Sequence, residues 1–185
     1  MLTIRKERVT DAAAREALLD VAYGPARFEK PSERLRAGRK PAPGLSLVAI
    51  EHGQVVGSVR LWEVLTGADC KALLLGPLAV HPGHRNRGIG ATLMRRALAA
   101  ARRRGHAVVL LVGDEAYYGR FGFSNAHTGR LWLPGLREPR RLLGCELQPG
   151  ALERARGFLR APGPPLHDAA VASLLAGPVP NPGTA

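Results

Sequence analysis

A short glycine-rich segment carries the residue types that bind phosphate groups. It reads Arg85-Asn86-Arg87-Gly88-Ile89-Gly90, an R-x-x-G-x-G pattern that opens an amphipathic stretch. Glycine has no Cβ, so the backbone can come close to a ligand, and the unpaired amides of a first helical turn attract anions. Arg85 and Arg87 add positive charge. These features predict a pyrophosphate-binding loop.

Two better-known phosphate loops do not fit this segment. A Walker loop ends in Gly-Lys followed by Ser or Thr, and the sequence contains no such ending. A dinucleotide fingerprint needs a third glycine, but Leu93 stands where it would fall. The structural alternative is a plain glycine-rich turn between a strand and a helix. The long strand before the loop and the amphipathic helix after it favour ligand binding.

The elements on either side of the loop form a predicted β-α-β unit. Ala72–Val80 reads as a strand, and Gly76-Pro77 interrupts it; because proline lacks a ladder donor, a bulge or splay is expected there. The helix begins after Gly88 and ends at Gly105. Val108–Val112 is a continuous apolar run, typical of a buried parallel strand. The apolar helix face comprises Ile89, Leu93, Met94, Ala97, Leu98 and Ala101.

The remaining pattern predicts one domain over residues 1–160 and a Pro/Gly-rich, weakly ordered appendage over residues 161–185. Asp11 is the expected N-cap of a first helix that runs to about Tyr23, and Asp114 that of a short helix through Tyr118. A tight turn at Glu51–Gln54 joins two strands of a hairpin. The other predicted strands are Leu2–Arg5, Leu45–Ile50, Val55–Trp62, Arg130–Leu133 and Arg141–Leu147.

Charge and composition exclude several classes of protein. The formal net charge is +12, but only four of the 27 basic residues are lysines, and an excess of arginine is what GC-rich coding would produce. The basic residues are also dispersed along the chain. No zinc finger or aromatic RNA-binding signature is present, so a nucleic-acid partner is not expected. No apolar run reaches the roughly 18–20 residues of a membrane span, and no export segment opens the chain. Cys70 and Cys145 lack metal-ligand spacing, so a cytoplasmic protein without a metal is predicted.

Three motifs resemble the GCN5-related N-acetyltransferases. They are Leu78-Ala79-Val80-His81-Pro82, the Arg85–Gly90 loop, and Tyr118-Gly119-Arg120-Phe121-Gly122-Phe123. The resemblance covers Leu2 to Leu147, and Val112–Phe123 is similar to a branch of predicted bacterial acetyltransferases. It implies an α/β (α+β) fold: a mixed, mostly antiparallel central sheet with a splayed parallel strand pair and flanking helices. It also implies direct acetyl transfer from acetyl-CoA to a primary amine, without a metal.

The resemblance assigns roles residue by residue. Backbone groups of Leu78, Ala79 and Val80 would bind pantetheine, and one amide there would polarise the thioester carbonyl. The amides of Arg85, Asn86, Arg87, Gly88, Ile89 and Gly90 would hold the pyrophosphate. Tyr118 would protonate the departing CoA thiolate, with Tyr117 as its rival.

The general base is open at the level of sequence. Many relatives place a carboxylate on the strand before the loop, but Leu73–Pro77 contains none. Glu63 is the candidate by topology, Glu115 and His81 are weaker ones, and a water chain would also serve. A non-catalytic acyl-CoA-binding sensor or interaction module is the alternative function.

The acceptor is not readable from the sequence. The partners expected are acetyl-CoA and an amine acceptor, either a small molecule or a protein. The acceptor-side segments, Gly24–Gly44 and Gly129–Arg141, show no pattern that identifies it. Because many relatives dimerise, a homodimer is one expected state.

Overall fold

The structure is a computed structural model that describes residues 1–67 and 70–163. The predicted appendage at 161–185 lies outside the described residues from 164 onward. The helices are α1 (Ala12–Tyr23), α2 (Pro31–Arg34), α3 (Ile89–Arg103) and α4 (Glu115–Tyr118). The strands are β1 (Leu2–Lys6), β2 (Ser46–Glu51), β3 (Gln54–Leu65), β4 (Lys71–Val80), β5 (Val108–Val112), β6 (Leu131–Trp132), β7 (Leu142–Glu146) and β8 (Gly157–Phe158).

Six strands form the main sheet in the order β1-β2-β3-β4-β5-β7. The β4–β5 pair is parallel, and the other neighbouring pairs of this sheet are antiparallel. The central strands β3 and β4 have runs of consecutive buried residues, so both of their faces are covered. The predicted fold class, a mixed and mostly antiparallel sheet with flanking helices, is confirmed. No helix in the described part of the chain has the length and apolar character that a membrane crossing needs.

Helix α3 packs on the sheet through the apolar face that its sequence period predicts. The helix residues on that face, from Ile89 to Ala101, are buried in the same core as residues of β2, β3 and β4. The helix approaches β3 at Gly57, where a Cβ would stand 3.0 Å from Ile89 Cγ2 and 3.1 Å from Leu93 Cδ1. Burial of each large aliphatic side chain stabilises the fold by about 1.5–3 kcal/mol. The core therefore fixes the N-terminus of α3 against β3.

Strand β4 separates from β5 half-way along its length. The parallel pairing is confined to Leu73 with Val109 and Leu74 with Leu110. Just beyond, the register of β3 with β4 shifts between Val59 and Leu61, and the Gly76-Pro77 peptide bond is cis. The predicted bulge and splay are both confirmed. A gap therefore opens between the second half of β4 and β5.

Two local predictions differ from the structure. Asp11 lies at the start of α1 without capping it, because its carboxylate accepts bonds from the Arg5 guanidinium at 2.6 and 2.8 Å and from the Arg8 N–H at 2.7 Å. The Arg5 guanidinium lowers the pKa of Asp11 to about 2. The strand predicted at Arg130–Leu133 is shorter in the structure and consists of β6, Leu131–Trp132. It pairs with β8, which was not predicted, in a separate two-stranded sheet.

Candidate active site

A cleft of about 480 Å³ lies between the second half of β4, the N-terminus of α3 and helix α4. Its walls contain most of the residues that the motifs predicted. The lining residues are Leu78, Val80, His84, Arg85, Asn86, Gly88, Ile89, Gly90, Ala91, Tyr117, Tyr118 and Arg120.

The loop before α3 and the first residues of the helix line this cleft. Asn86 and Gly88 have positive φ angles of 60° and 75°, which turn the chain sharply into the helix. The Thr92 N–H donates to the Gly88 carbonyl at 2.9 Å, so the amides of the preceding helical turn are left for a ligand. The positive end of a 15-residue helix adds to their attraction for an anion. The geometry can bind phosphate groups.

The two arginines of the loop have different environments. Arg85 lines the cleft, whereas the Arg87 guanidinium donates to both carboxylate oxygens of Glu51 at 2.7 and 2.8 Å. The Arg87 bonds lower the pKa of Glu51, and His84 Nε2 lies 3.2 Å from the same carboxylate. The structure therefore turns the Arg87 side chain towards β2. The arginines that line the cleft, where the pyrophosphate was predicted to bind, are therefore Arg85 and Arg120.

The side chains of the three β4 residues that were predicted to bind pantetheine do not all face the cleft. Leu78 and Val80 line the cleft, while Ala79 packs on the opposite face against Leu18 and Leu19 of α1. Strand alternation requires this difference. The Ala79 side chain therefore does not face the cleft, and it fixes β4 on α1.

Helix α4 places two neighbouring tyrosines on the other wall of the cleft. Asp114 caps this helix, as predicted, by accepting a bond from the Ala116 N–H at 3.0 Å. The Tyr117 hydroxyl reaches α3, 3.3 Å from the position of a Cβ on Gly90. The Tyr118 ring lies 4.8 Å from that of Tyr117. Both rings line the cleft.

Tyr118 is further distinguished by a second cavity of about 80 Å³. This cavity occupies the gap between β4 and β5. Leu78 and Tyr118 line both cavities, whereas Tyr117 lines only the cleft. The other residues of the second cavity are Tyr23, Lys30, Ser32, Arg36, Leu75, Gly76, Pro77, Leu111 and Val112.

Burial raises the pKa of Tyr118 to about 12, with smaller contributions from Tyr23 and Tyr117. The phenol is therefore protonated throughout the neutral range. Tyr23 shares the second cavity, and its hydroxyl donates to the carbonyl of Leu78. Burial raises the pKa of Tyr23 as well.

Sequence reasoning missed Tyr23 and Arg36. Arg36 lies within the acceptor-side segment 24–44 and Tyr23 directly precedes it, but neither belongs to a recognisable motif. Their place in the cavity depends on how α1 and α2 fold over the gap between β4 and β5. The sequence indicated only that the segment 24–44 would lie on the acceptor side, and it did not indicate which residues would line a cavity.

Glu63 lines neither the cleft nor the second cavity, both of which Tyr118 lines. Glu63 pairs with Leu73 across the β3–β4 ladder, whereas Leu78 pairs with Val59. Four residues along β3 separate Glu63 from Val59, a span of roughly 13 Å. Glu63 instead lines a third cavity of about 290 Å³ with Arg39, Lys40 and Trp62.

The weaker candidates for the base are also placed elsewhere. Glu115 lines a polar cavity with Arg140 and Arg141, and His81 Nδ1 accepts a bond from the Gly83 N–H at 3.2 Å. Among the described residues, neither the cleft nor the second cavity has an aspartate or glutamate in its lining. Within 1–67 and 70–163, no group of three His, Cys, Asp or Glu residues could hold a metal ion.

Comparisons with known proteins agree with this geometry. The family model described as an acetyltransferase (GNAT) domain matches residues 42–125. Escherichia coli YhbS, a GNAT family N-acetyltransferase solved in complex with CoA, superposes with a TM-score of 0.74 at 30% identity, over 86% of this chain and 89% of YhbS. The chain belongs to the GNAT family.

Other GNAT relatives extend the comparison. A Brucella melitensis GNAT family acetyltransferase in complex with acetyl-CoA has a TM-score of 0.67 at 31% identity, over 86% of this chain and 95% of that one. A Streptomyces griseus protein named an uncharacterized N-acetyltransferase is 31% identical over 89% of this chain and 42% of its own length. The match to the YhbS sequence of E. coli strain K12 is 38% identical over 49% of this chain and 57% of YhbS. This GNAT chain thus spans about half the length of these sequence relatives.

Proposed function

We propose that the chain transfers an acetyl group from acetyl-CoA directly to a primary amine. The observation that supports this most is the junction of two cavities at Leu78 and Tyr118. A thioester at the inner end of the cleft would meet an amine that enters from the second cavity. The CoA and acetyl-CoA held by the E. coli and Brucella relatives support the choice of donor.

The cleft suits the cofactor along its whole length. The amides of Ile89 and Gly90 and the Arg85 guanidinium would bind the pyrophosphate. Pantetheine would lie along Leu78–Val80, where β4 has lost its pairing with β5 and has backbone groups to offer. One of these amides would polarise the thioester carbonyl.

In the transfer step, the nitrogen lone pair of the amine attacks the thioester carbonyl carbon and the C–S bond breaks. The electron pair of that bond leaves with sulfur, and the Tyr118 hydroxyl donates its proton to the thiolate. The amine loses a proton to water, and water reprotonates Tyr118. The products are the acetamide and free CoA.

The pKa of Tyr118 sets the energetics of this donation. A pKa of about 12 exceeds that of a free thiol, about 8.5, by about 3.5 units, or about 5 kcal/mol. An ordinary tyrosine, with a pKa of about 10, would require about 2 kcal/mol. The buried site would also raise the pKa of the thiol, because desolvation disfavours the thiolate. Tyr118 therefore donates as the C–S bond lengthens, when the proton affinity of sulfur is greatest.

Direct transfer is supported by the positions of the cysteines. Cys70 and Cys145 line neither cavity, and burial raises the pKa of the Cys145 thiol. Without a carboxylate in the lining, the amine reaches the thioester as its neutral form through equilibrium with water. That deprotonation costs about 4–5 kcal/mol at pH 7 for an ordinary alkyl ammonium.

The experiment is a thiol-release assay with acetyl-CoA and a panel of small primary amines, with intact-mass analysis of the protein after incubation with acetyl-CoA alone. We expect amine-dependent release of CoA and no acetylated protein. Acetylation of the protein that an added amine discharges would overturn direct transfer. If acetyl-CoA binds but no amine supports turnover, the result favours the alternative function, a non-catalytic acyl-CoA-binding sensor or interaction module.

A further inference from the structure

The second cavity contains a buried arginine whose hydrogen-bonding capacity is only partly used. The Arg36 side chain is 6% exposed, and its Nη2 lies 3.1 Å from Ser32 Oγ and 2.9 Å from Glu33 Oε2. Its Nε has no hydrogen-bonding partner. Its Nη1 lies beside β4, 3.3 Å from the position of a Cβ on Gly76. A buried guanidinium is costly unless its charge is paired, and Nη1 is the atom of Arg36 that lies beside Gly76 in the lining of the cavity.

The rest of the cavity adds positive charge. Lys30 is the other charged residue of the described lining, and no acidic side chain lines the cavity. Its Nζ lies 4.0 Å from the centre of the Tyr23 ring. Burial lowers the pKa of Arg36, and burial followed by the charge of Arg36 lowers the pKa of Lys30. With Glu33 paired to Arg36, the three side chains carry a net charge of +1, so the cavity favours an anion and disfavours a second cation.

The geometry points to an acceptor that carries both an amine and an anionic group, with the anion bound by Arg36 and Lys30. This inference rests on the transfer reaction proposed above, because it places the amine at Leu78 and Tyr118. Gly76, beside the Arg36 guanidinium, is two residues from Leu78, which is at most about 6–7 Å along the strand. A chain of two or three methylene groups spans that distance, as in a small ω-amino acid.

The size of the cavity also favours a small acceptor. The second cavity, at about 80 Å³, is much smaller than the cleft, at about 480 Å³. The space therefore favours a small acceptor, and its positive charge disfavours polyamines. A carboxylate and a phosphate share the chemistry that a guanidinium and an ammonium recognise.

Matched pairs of acceptors test the inference. β-Alanine and 4-aminobutyrate are compared with their carboxamides, with kcat/KM expressed per unprotonated amine, and O-phosphoethanolamine tests the phosphate form. Wild type should prefer each acid over its amide by about 10–100-fold, the usual effect of charge-assisted hydrogen bonds. If O-phosphoethanolamine is the best acceptor, the anion is a phosphate and the inference holds.

Variants assign this preference to the cavity. Arg36→Gln should reduce the acid-to-amide ratio to below about 3-fold while the amide rate and the acetyl-CoA affinity are kept. Because Arg36 also bonds Ser32 and Glu33, Lys30→Gln is a second variant that leaves those bonds in place. Lys40→Gln removes the same charge from the third cavity and should leave the ratio unchanged. Equal rates for acids and amides in wild type, or a ratio insensitive to both variants, would overturn the inference.

A binding measurement separates this inference from the proposed function. Calorimetry of β-alanine with the CoA-saturated protein should show binding that Arg36→Gln abolishes and that β-alaninamide does not reproduce. If this binding is seen without turnover of any amine, the acetyl transfer fails and the anion site stands. If neither β-alanine nor O-phosphoethanolamine binds or reacts, the anion site fails.

Discussion

The Tyr118 ring occupies the space in which a side chain of Gly113 would begin. A Cβ on Gly113 would lie 2.3 Å from Tyr118 Cε2 and 2.6 Å from Cδ2, and 2.9 Å from Leu111 Cδ1. The Gly113 N–H also donates to the Arg141 carbonyl at 2.9 Å, which fixes the glycine against the chain leading into β7. The position of the proposed proton donor therefore depends on the absence of one methyl group.

Gly113→Ala should displace Tyr118 and lower kcat by at least about 10-fold, because misplacement by 1 Å is enough to disturb a reacting geometry. Overpacking should also lower the free energy of unfolding by about 1–3 kcal/mol. Steady-state kinetics and urea unfolding measure the two effects. The acetyl-CoA affinity should change little, because the α3 amides are untouched.

Gly119→Ala is the matched control for this substitution. Gly119 follows Tyr118 directly, has helical angles of φ −56° and ψ −35°, and has no atom within 4 Å of the position that a Cβ would take. The alanine should be tolerated with kcat near that of wild type. Equal losses in both variants would contradict the dependence of Tyr118 on Gly113.

The phosphate-binding role of the loop is tested at Gly88. Acetyl-CoA at 100 times its Kd should stabilise the fold by about 2.7 kcal/mol, which corresponds to about 5–10 °C in Tm for a domain of this size. Gly88→Glu should abolish that shift, because it adds a carboxylate where the pyrophosphate would bind. Differential scanning fluorimetry measures it.

Gly105 provides the control, since it lies at the other end of α3 with nearly the same backbone. The φ angles are 75° at Gly88 and 78° at Gly105, and neither would have an atom within 4 Å of a Cβ. Both glutamate variants carry a similar left-handed backbone cost of about 1–2 kcal/mol. Gly105→Glu should keep the acetyl-CoA shift, and its loss there would show that the Gly88 effect is not local.

The unequal environments of the loop arginines predict unequal effects on cofactor affinity. Arg85→Gln should raise the Kd of acetyl-CoA by about 3–10-fold, as expected for the loss of a phosphate contact. Arg87→Gln should change it by less than about 2-fold, because Arg87 is paired with Glu51. Calorimetry at low and high salt measures both. A larger effect at Arg87 would mean that its guanidinium leaves Glu51 when the cofactor binds.

The residues of the β-α-β unit were predictable because each follows from a local rule. The apolar period sets the buried face of α3, a glycine with positive φ ends it, and proline breaks the pairing of β4. The side-chain partners were not predictable in the same way. Arg87 bonds Glu51, which is 36 residues away in the sequence, and Asp11 binds Arg5 instead of capping α1. Such choices depend on tertiary packing.

Glu63 shows the same limit at the candidate site. The end of the strand preceding β4 suggested a base by topology, but the β3–β4 register places Glu63 opposite Leu73. Glu63→Gln should therefore leave kcat/KM within about 2-fold of wild type at every pH. A loss of more than about 10-fold would restore Glu63 as a proton acceptor that acts through water.

The pH dependence of the reaction tests Tyr118 itself. Its pKa is raised to about 12, so the phenol is the proton-bearing form at every lower pH and its donation is lost only as the pH rises through about 12. The amine must be neutral, and its pKa is about 10.4 in water. Log(kcat/KM) should therefore rise with pH up to about 10, without a descending limb in that range.

Tyr118→Phe should lower the whole profile by about 100-fold and keep its shape, because general acid catalysis contributes at least that much. Tyr117→Phe should lower it less, since Tyr117 does not line the second cavity. A descending limb between pH 8 and 10 that disappears in Tyr118→Phe would contradict the raised pKa, and unchanged rates in Tyr118→Phe would contradict its role as the donor.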